Sequence, residues 1–152
     1  MLNLYDNFNK LKAMKIGQSK YFTWHEALWL PQVSAYAKPS IPEAQNIISV
    51  AQYLDAIREH YNKPITVNSW LRPQNYNRII GGATFSFHRT GLAVDFEVFG
   101  VPAETVRNDM KVNKHLVPGC SFENGVPWVH MQVDGKGIFF NPPPKKKGLL
   151  DD

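Results

Sequence analysis

The decapeptide SFHRTGLAVD, residues 86–95, constrains the fold more than any other stretch, because it sets a histidine and an aspartate seven positions apart across a glycine. His88 falls in a predicted loop, whereas Asp95 falls inside AVDFEV, residues 93–98, whose alternation predicts a half-buried strand. A loop residue and a strand residue can therefore converge on one point. A third group has to arrive from elsewhere. His130, flanked by apolar or aromatic neighbours in WVH (residues 128–130) of a second predicted strand, is the candidate.

The rest of the chain supplies helices to support such strands. Leu4, Phe8, Leu11 and Met14 are spaced for a short amphipathic helix. TWHE at Thr23 carries the reciprocal capping pattern and predicts a helix from Trp24 to about Leu30, which Pro31 stops. SIPE repeats the pattern at Ser40, and Ile47, Val50, Ala51, Leu54, Ile57 and Tyr61 then mark one face of a long central helix ending at 62–64. ITVNS (65–69) is a predicted strand, WLRPQNYN (70–77) a loop, and Gly81-Gly82 a backbone turn. A second main helix follows over 102–117, with Val106, Met110, Asn113 and Val117 on one side. CSFE (120–123) and PWVHMQV (127–133), joined through Asn124-Gly125, suit a hairpin. The domain is expected to occupy 1–140, leaving NPPPKKKGLLDD (141–152) as a Pro/Lys-rich tail.

With 152 residues, the chain is long enough for one hydrophobic core without disulfides. Cys120 is its single cysteine, which excludes an internal disulfide and a Cys-rich structural zinc site. No stretch has the apolar length of a membrane span, and the N-terminus lacks the apolar core of a secretory signal. The expectation is thus a monomer made in a cytoplasm without a signal peptide, with no membrane partner. The formal charge of +4 favours weak attraction to anionic polymers, but no finger, ribonucleoprotein or basic-helix motif supports a nucleic-acid partner.

Two imidazoles and one carboxylate suit a catalytic zinc, since three protein ligands leave a fourth position for water, whose pKa falls to about 7. Each of these residues taken alone has an ordinary structural use, as a loop histidine, a hydrogen-bonding carboxylate or a half-buried strand residue. Taken singly, none of them carries a metal assignment. A guanidinium at Arg72 can bind a carboxylate or stabilise charge on a carbonyl oxygen. Ser86 can bind substrate or organise the ligand loop, and Trp128 can line a substrate groove. Glu97, two after Asp95 on the same strand face, is a candidate to orient a histidine. Asp134, beside Gly135, suggests a turn, and His25, His60 and His115 are expected as ordinary helix residues.

SFHRTGLAVD, taken with the upstream NSWLRPQNYNRIIGGA and the downstream WVH, resembles the zinc D-alanyl-D-alanine carboxypeptidase family, which includes phage L-alanyl-D-glutamate endopeptidases. The resemblance runs from about Phe22 to Val133. It implies that His88, Asp95 and His130 hold Zn2+ and that Arg72 contacts substrate. It also implies an α+β fold, in which a small antiparallel sheet carries the zinc site and packs against N-terminal and central helices. Several members of that family place an acid three residues before the last histidine, where this chain has Pro127. Glu123, seven before His130, is then the candidate general base.

The activity so implied is a zinc-dependent peptidase that cleaves peptidoglycan stem peptides, of either the L-Ala-D-Glu endopeptidase or the D-Ala-D-Ala carboxypeptidase type. Such an enzyme would serve in phage or prophage lysis and act at the bacterial cell wall or within a virion. The alternative from another class is a non-catalytic zinc-binding virion or wall-binding module of the same fold, motivated by Pro127. A non-haem iron oxygenase shares the ligand types, but the seven-residue spacing argues against it.

Overall fold

Capping and alternation signals decide most of the elements. In a computed structural model that describes residues 4–144, and side chains from residue 9 on, helix α1 spans Leu4–Ala13 and α2 spans Trp24–Leu28. A two-stranded ladder of β1 (Trp29–Leu30) and β2 (Ala35–Tyr36) follows. The central helix α3 is Ile41–Tyr61, β3 is Ile65–Ser69, α4 is Gln74–Ile79 and β4 is Ala93–Val98. After α5 (Ala103–Val112) come β5 (Cys120–Glu123), β6 (Val129–Val133) and β7 (Phe139–Phe140). The main sheet has the order β3-β4-β6-β5-β7.

The α+β expectation holds, with an antiparallel four-strand set that β7 extends by pairing parallel to β5. Ser40 Oγ accepts from Glu43 N–H at 3.2 Å while Glu43 Oε1 accepts from Ser40 N–H at 2.9 Å, so both partners of the capping box are engaged. Ile47, Val50, Ala51, Leu54 and Ile57 of α3 are all fully buried. They join Val94, Phe96, Phe122, Val129 and Met131 of the sheet in one core. Burying a side chain of this size is worth roughly 1.5–3 kcal/mol. This face, rather than helix propensity, fixes α3. Tyr61 ends it half-buried, with its hydroxyl donating to Asp109 Oδ2 at 2.6 Å.

Several boundaries differ from expectation. The second half of the expected loop 70–77 instead opens α4, because Pro73 supplies a helix-compatible start and Tyr76 and Asn77 are buried as anchors. The Asn-rich composition there conceals this tertiary gain. α2 stops at Leu28, and Trp29–Leu30 pairs as strand. α5 stops at Val112 and passes into a separate 3-10 turn over Lys114–Leu116. Of the residues spaced for the first helix, Leu11 in α1 is half-buried and Met14, just past its end, is exposed, while the side chains of Leu4 and Phe8 lie outside the described residues, as do tail residues 145–152. Among the described residues no helix is long and apolar enough to cross a membrane.

The contact that seats the site on the core is Gly91. It closes the 3-10 turn Phe87–Thr90 at φ +82°, and a Cβ there would lie 3.0 Å from Ile47 Cγ1 and 3.1 Å from the Glu43 carbonyl oxygen. Asn46 of α3 also donates to Thr90 O at 2.9 Å. Gly91→Ala is therefore expected to cost about 1–3 kcal/mol, from the left-handed backbone alone or with the clash added. Urea denaturation of wild type and variant checks this; equal midpoints would show that the turn does not need glycine.

Candidate metal centre

Strand alternation puts the apolar side chains of β4 and β6 on the core face and leaves Asp95, His130 and Gln132 on the other. Register then aligns the site: Ser69 pairs with Asp95, and Asp95 pairs with His130. On the far side of β6, Phe122 pairs with Met131, and Glu123 follows at the end of β5. Glu123 in turn pairs with Phe140 of β7. Ser69, Asp95 and His130 thus form one row across three strands, and Glu123 approaches it from the end of β5.

His88 reaches this row from the 3-10 turn, which Ser86 caps by accepting from His88 N–H at 3.1 Å. The segment after β3 clamps the imidazole. Trp70 O accepts from His88 Nδ1 at 2.8 Å, Arg72 N–H donates to His88 O at 2.8 Å, and Trp70 Nε1 donates to Gly91 O at 3.2 Å. Of the two alternatives for Ser86, the ligand-loop cap is therefore realised in the fold.

The donor set meets at Asp95 Oδ1, which lies 3.2 Å from His88 Nε2 and 2.8 Å from His130 Nδ1. Asp95 Oδ2 accepts from Arg72 Nη2 at 2.9 Å, and Arg72 Nε donates to Ser69 Oγ at 2.7 Å. All three candidate ligands are buried, and one ligand atom from each lies within 4.8 Å of the others. His88 gives the sharpest test of whether a cation fits. A carbonyl oxygen has only lone pairs, so the bond to Trp70 O needs the proton on Nδ1, and Nε2 then offers a bare lone pair. That atom is buried and makes no hydrogen bond despite the carboxylate oxygen beside it. Two acceptors facing one another in a buried site are the arrangement that a divalent cation resolves.

Charge states follow from the same contacts. Burial pushes the His88 pKa down, outweighing the carboxylate of Asp95. Burial alone would raise the Asp95 pKa, but the hydrogen bond and charge of His130 hold it well below the usual carboxylate range. Burial also opposes charge on His130, yet the hydrogen bond and charge of Asp95, with help from Gln132 and Glu123, raise its pKa.

The remaining sequence candidates are placed as follows. Glu123 and Trp128 line the same cleft as the three ligands, a space of about 510 Å³ that also takes in Phe87, Phe140, Pro142 and Pro143. Trp128 is 37% exposed and outside the core, held through its backbone oxygen by the buried guanidinium of Arg107 at 3.0 Å. Glu97 does not orient a histidine. It is exposed and accepts from Asn68 Nδ2 at 3.2 Å, next to the irregularity between Val67 and Ser69. His130 instead uses Nε2 toward Gln132 Oε1 at 2.9 Å, and Gln132 Nε2 donates to Asp134 Oδ2 at 3.0 Å. Asp134 does stand in a turn, as its glycine neighbour suggests, and it also backs this chain of bonds. Sequence reasoning missed Gln132; the one signal for it was its i+2 position on the strand of His130, which puts it on the same face.

The family model described as Peptidase M15 matches residues 21–132, well over half of the chain, and spans all three candidate ligands together with Arg72 and Glu123. No curated protein matches the chain.

Metal binding has to displace protons from the ligands. Asp95 and the Nε2 atom of His88 carry none near neutral pH, given the lowered pKa values, whereas His130 with its raised pKa carries one to displace. Zinc affinity is therefore expected to fall as pH drops through the His130 pKa, above the ordinary 6.5, with a slope of about one decade per pH unit below it. Competition with a chromophoric chelator between pH 6 and 9 measures this; a slope near zero throughout would refute the assignment of charge.

Proposed function

The chain belongs to the M15 peptidases, a zinc-dependent family, and from that premise we propose that it hydrolyses peptide bonds in the stem peptides of bacterial peptidoglycan. The observation that carries this is the convergence of His88 Nε2, Asp95 Oδ1 and His130 Nδ1 in a cleft that Glu123 and Arg72 also line. When bound there, zinc supplies a Lewis acid that activates water at neutral pH. His88, Asp95 and His130 are its proposed ligands.

Glu123 is the proposed general base. It lines the cleft of the three candidate ligands, so its carboxylate can reach water held at the ligand cluster. It takes the proton of the attacking water and returns it to the leaving amine nitrogen, so that the carboxylate is regenerated. Arg72 has one arm committed to Asp95, and Nη1 has no protein partner among the described residues. That arm is the one proposed to hold a substrate carboxylate or to stabilise the carbonyl oxygen as it gains charge. Trp128 forms a wall of the cleft, and Ser86 at its edge, besides capping the turn of His88, is a proposed substrate contact.

A second cleft, lined by Ser69 and Tyr76, joins the first at Arg72, Asp95 and Trp128. A groove that continues on both sides of the ligands suits a chain passing through, which favours an endopeptidase of the L-Ala-D-Glu type over a carboxypeptidase. We assign the peptidase domain to residues 1–140, with 141–152 as a tail whose first prolines overhang the cleft. The biological setting proposed is phage or prophage lysis, with the enzyme made in the host cytoplasm and acting at the wall.

The competing function, a non-catalytic zinc module, draws on Pro127, which offers no proton acceptor. The two separate in one experiment. Wild type with zinc is expected to release new amino termini from sacculi. Glu123→Gln is expected to bind zinc as wild type does while losing roughly 10²–10⁴-fold in turnover. Hydrolysis undiminished in Glu123→Gln would remove Glu123 as base, and no release by zinc-loaded wild type from walls of any tested chemistry would leave the binding module.

A further inference from the structure

His130 has two ring nitrogens and only one can face the ligand cluster, so something has to decide which carries the proton in the neutral ring. The deciding contacts run down the site face of β6 and into the turn after it. Asp134 Oδ1 accepts from Ser121 Oγ at 2.7 Å and from Lys136 N–H at 2.9 Å. Ser121 is itself fixed, because its Oγ accepts from Ile138 N–H at 3.0 Å and its hydroxyl proton is then free to go to Asp134. Burial disfavours charge on Asp134, but these bonds, with that of Gln132, hold its pKa below the usual range. The carboxylate therefore has nothing to donate.

This fixes the direction of the next link. The end of the Gln132 amide that meets Asp134 Oδ2 at 3.0 Å has to be the NH2, so the end that meets His130 Nε2 at 2.9 Å is the carbonyl oxygen. That oxygen accepts only, so Nε2 has to carry a proton. The remaining nitrogen, Nδ1, is the one beside Asp95 Oδ1. We propose that Gln132, locked in orientation by Asp134, is a positioning residue that holds His130 as the Nε2–H tautomer and aims the Nδ1 lone pair at the metal. Trp70 O does the converse for His88, holding Nδ1–H and freeing Nε2. One histidine is set by backbone and the other by a side-chain relay that mutation can interrupt.

The inference rests on the metal assignment, and its test keeps the two apart. Zinc affinity is measured by chelator competition on wild type, Gln132→Met, Gln132→Glu and Asp134→Asn, with a denaturation curve of each. Met keeps the length of the side chain and removes the acceptor, so affinity is expected to fall about 10- to 100-fold. Glu keeps an acceptor toward Nε2 and is expected to recover most of that loss. Asn at 134 can present either end of its amide to Gln132, which releases the lock and weakens binding in the same direction. In the zinc-loaded wild type, the 15N spectrum of the imidazoles is expected to show a protonated Nε2 on His130, and in Gln132→Met that signal is expected to shift and exchange faster. Equal zinc affinity for wild type and Gln132→Met, a Glu variant as weak as Met, or a proton on Nδ1 in the loaded wild type would each overturn the inference alone. Folded wild type that takes up no zinc would overturn the metallopeptidase function together with it.

Discussion

A buried carboxylate is the interaction on which the structure turns. Asp95 is fully enclosed in the second strand of the main sheet, and an ionised group there is tolerated only with its charge and lone pairs compensated. Compensation within the protein comes from two separate segments. Arg72 reaches it from beyond β3 and His130 from β6, while His88, from the turn before β4, turns a bare lone pair toward it. Removing one partner from such a buried cluster typically costs about 3–5 kcal/mol. The same cost that makes the cluster expensive as architecture therefore makes it specific, because only one strand register satisfies Asp95.

Register and core are coupled through the sheet's two faces. Because side chains alternate with period two, a slip of one residue would carry Val94 and Phe96 out of the core and Asp95 into it. The aliphatic face of α3 prevents that slip, since Ile47 and Leu54 need the apolar side of the sheet to stay buried. Gly91 then ties the ligand turn to the same helix, at a spot where a methyl group would strike Ile47. Core packing thus sets the positions of the candidate ligands without touching the cleft. This explains how a loop-borne histidine can be held as tightly as a strand-borne one.

Much of this was legible in the sequence, for physical reasons that differ between elements. Caps and periodicity are local, so α3, β3 and β4 fall where Ser40, the apolar spacing and the alternation of AVDFEV put them. The ligand trio was legible because the spacing across Gly91 is unusual and resembles a known family. What stayed hidden depends on partners distant in sequence. α4 has the composition of a loop and is stabilised by burying Tyr76 and Asn77. β7 has two residues and exists only because β5 offers an edge. The role of Gln132 is invisible without knowing that Asp134 lies beyond it with two donors already attached. Glu97 misled for the opposite reason. Its alternation with Asp95 was right, but Asn68, at the irregularity in β3, takes its carboxylate, and both histidines already have other partners for the nitrogen it was expected to bind.

Pro127 is best understood in the same structural terms. An acid three residues before His130 would have to come from the loop entering β6, whereas Glu123 reaches the cleft of His130 from the end of the neighbouring strand β5. A strand-borne carboxylate is positioned by ladder hydrogen bonds, and here it is further fixed by the parallel pairing of Glu123 with Phe140. Pro127 has no N–H to offer a ladder and restricts the residue before it. It thereby stiffens the approach to Trp128, whose carbonyl Arg107 holds from the core side. The loop that lacks an acid at Pro127 thus leads into Trp128 as a wall of the cleft, and the carboxylate nearest the three candidate ligands in this part of the chain is carried by a strand, at Glu123.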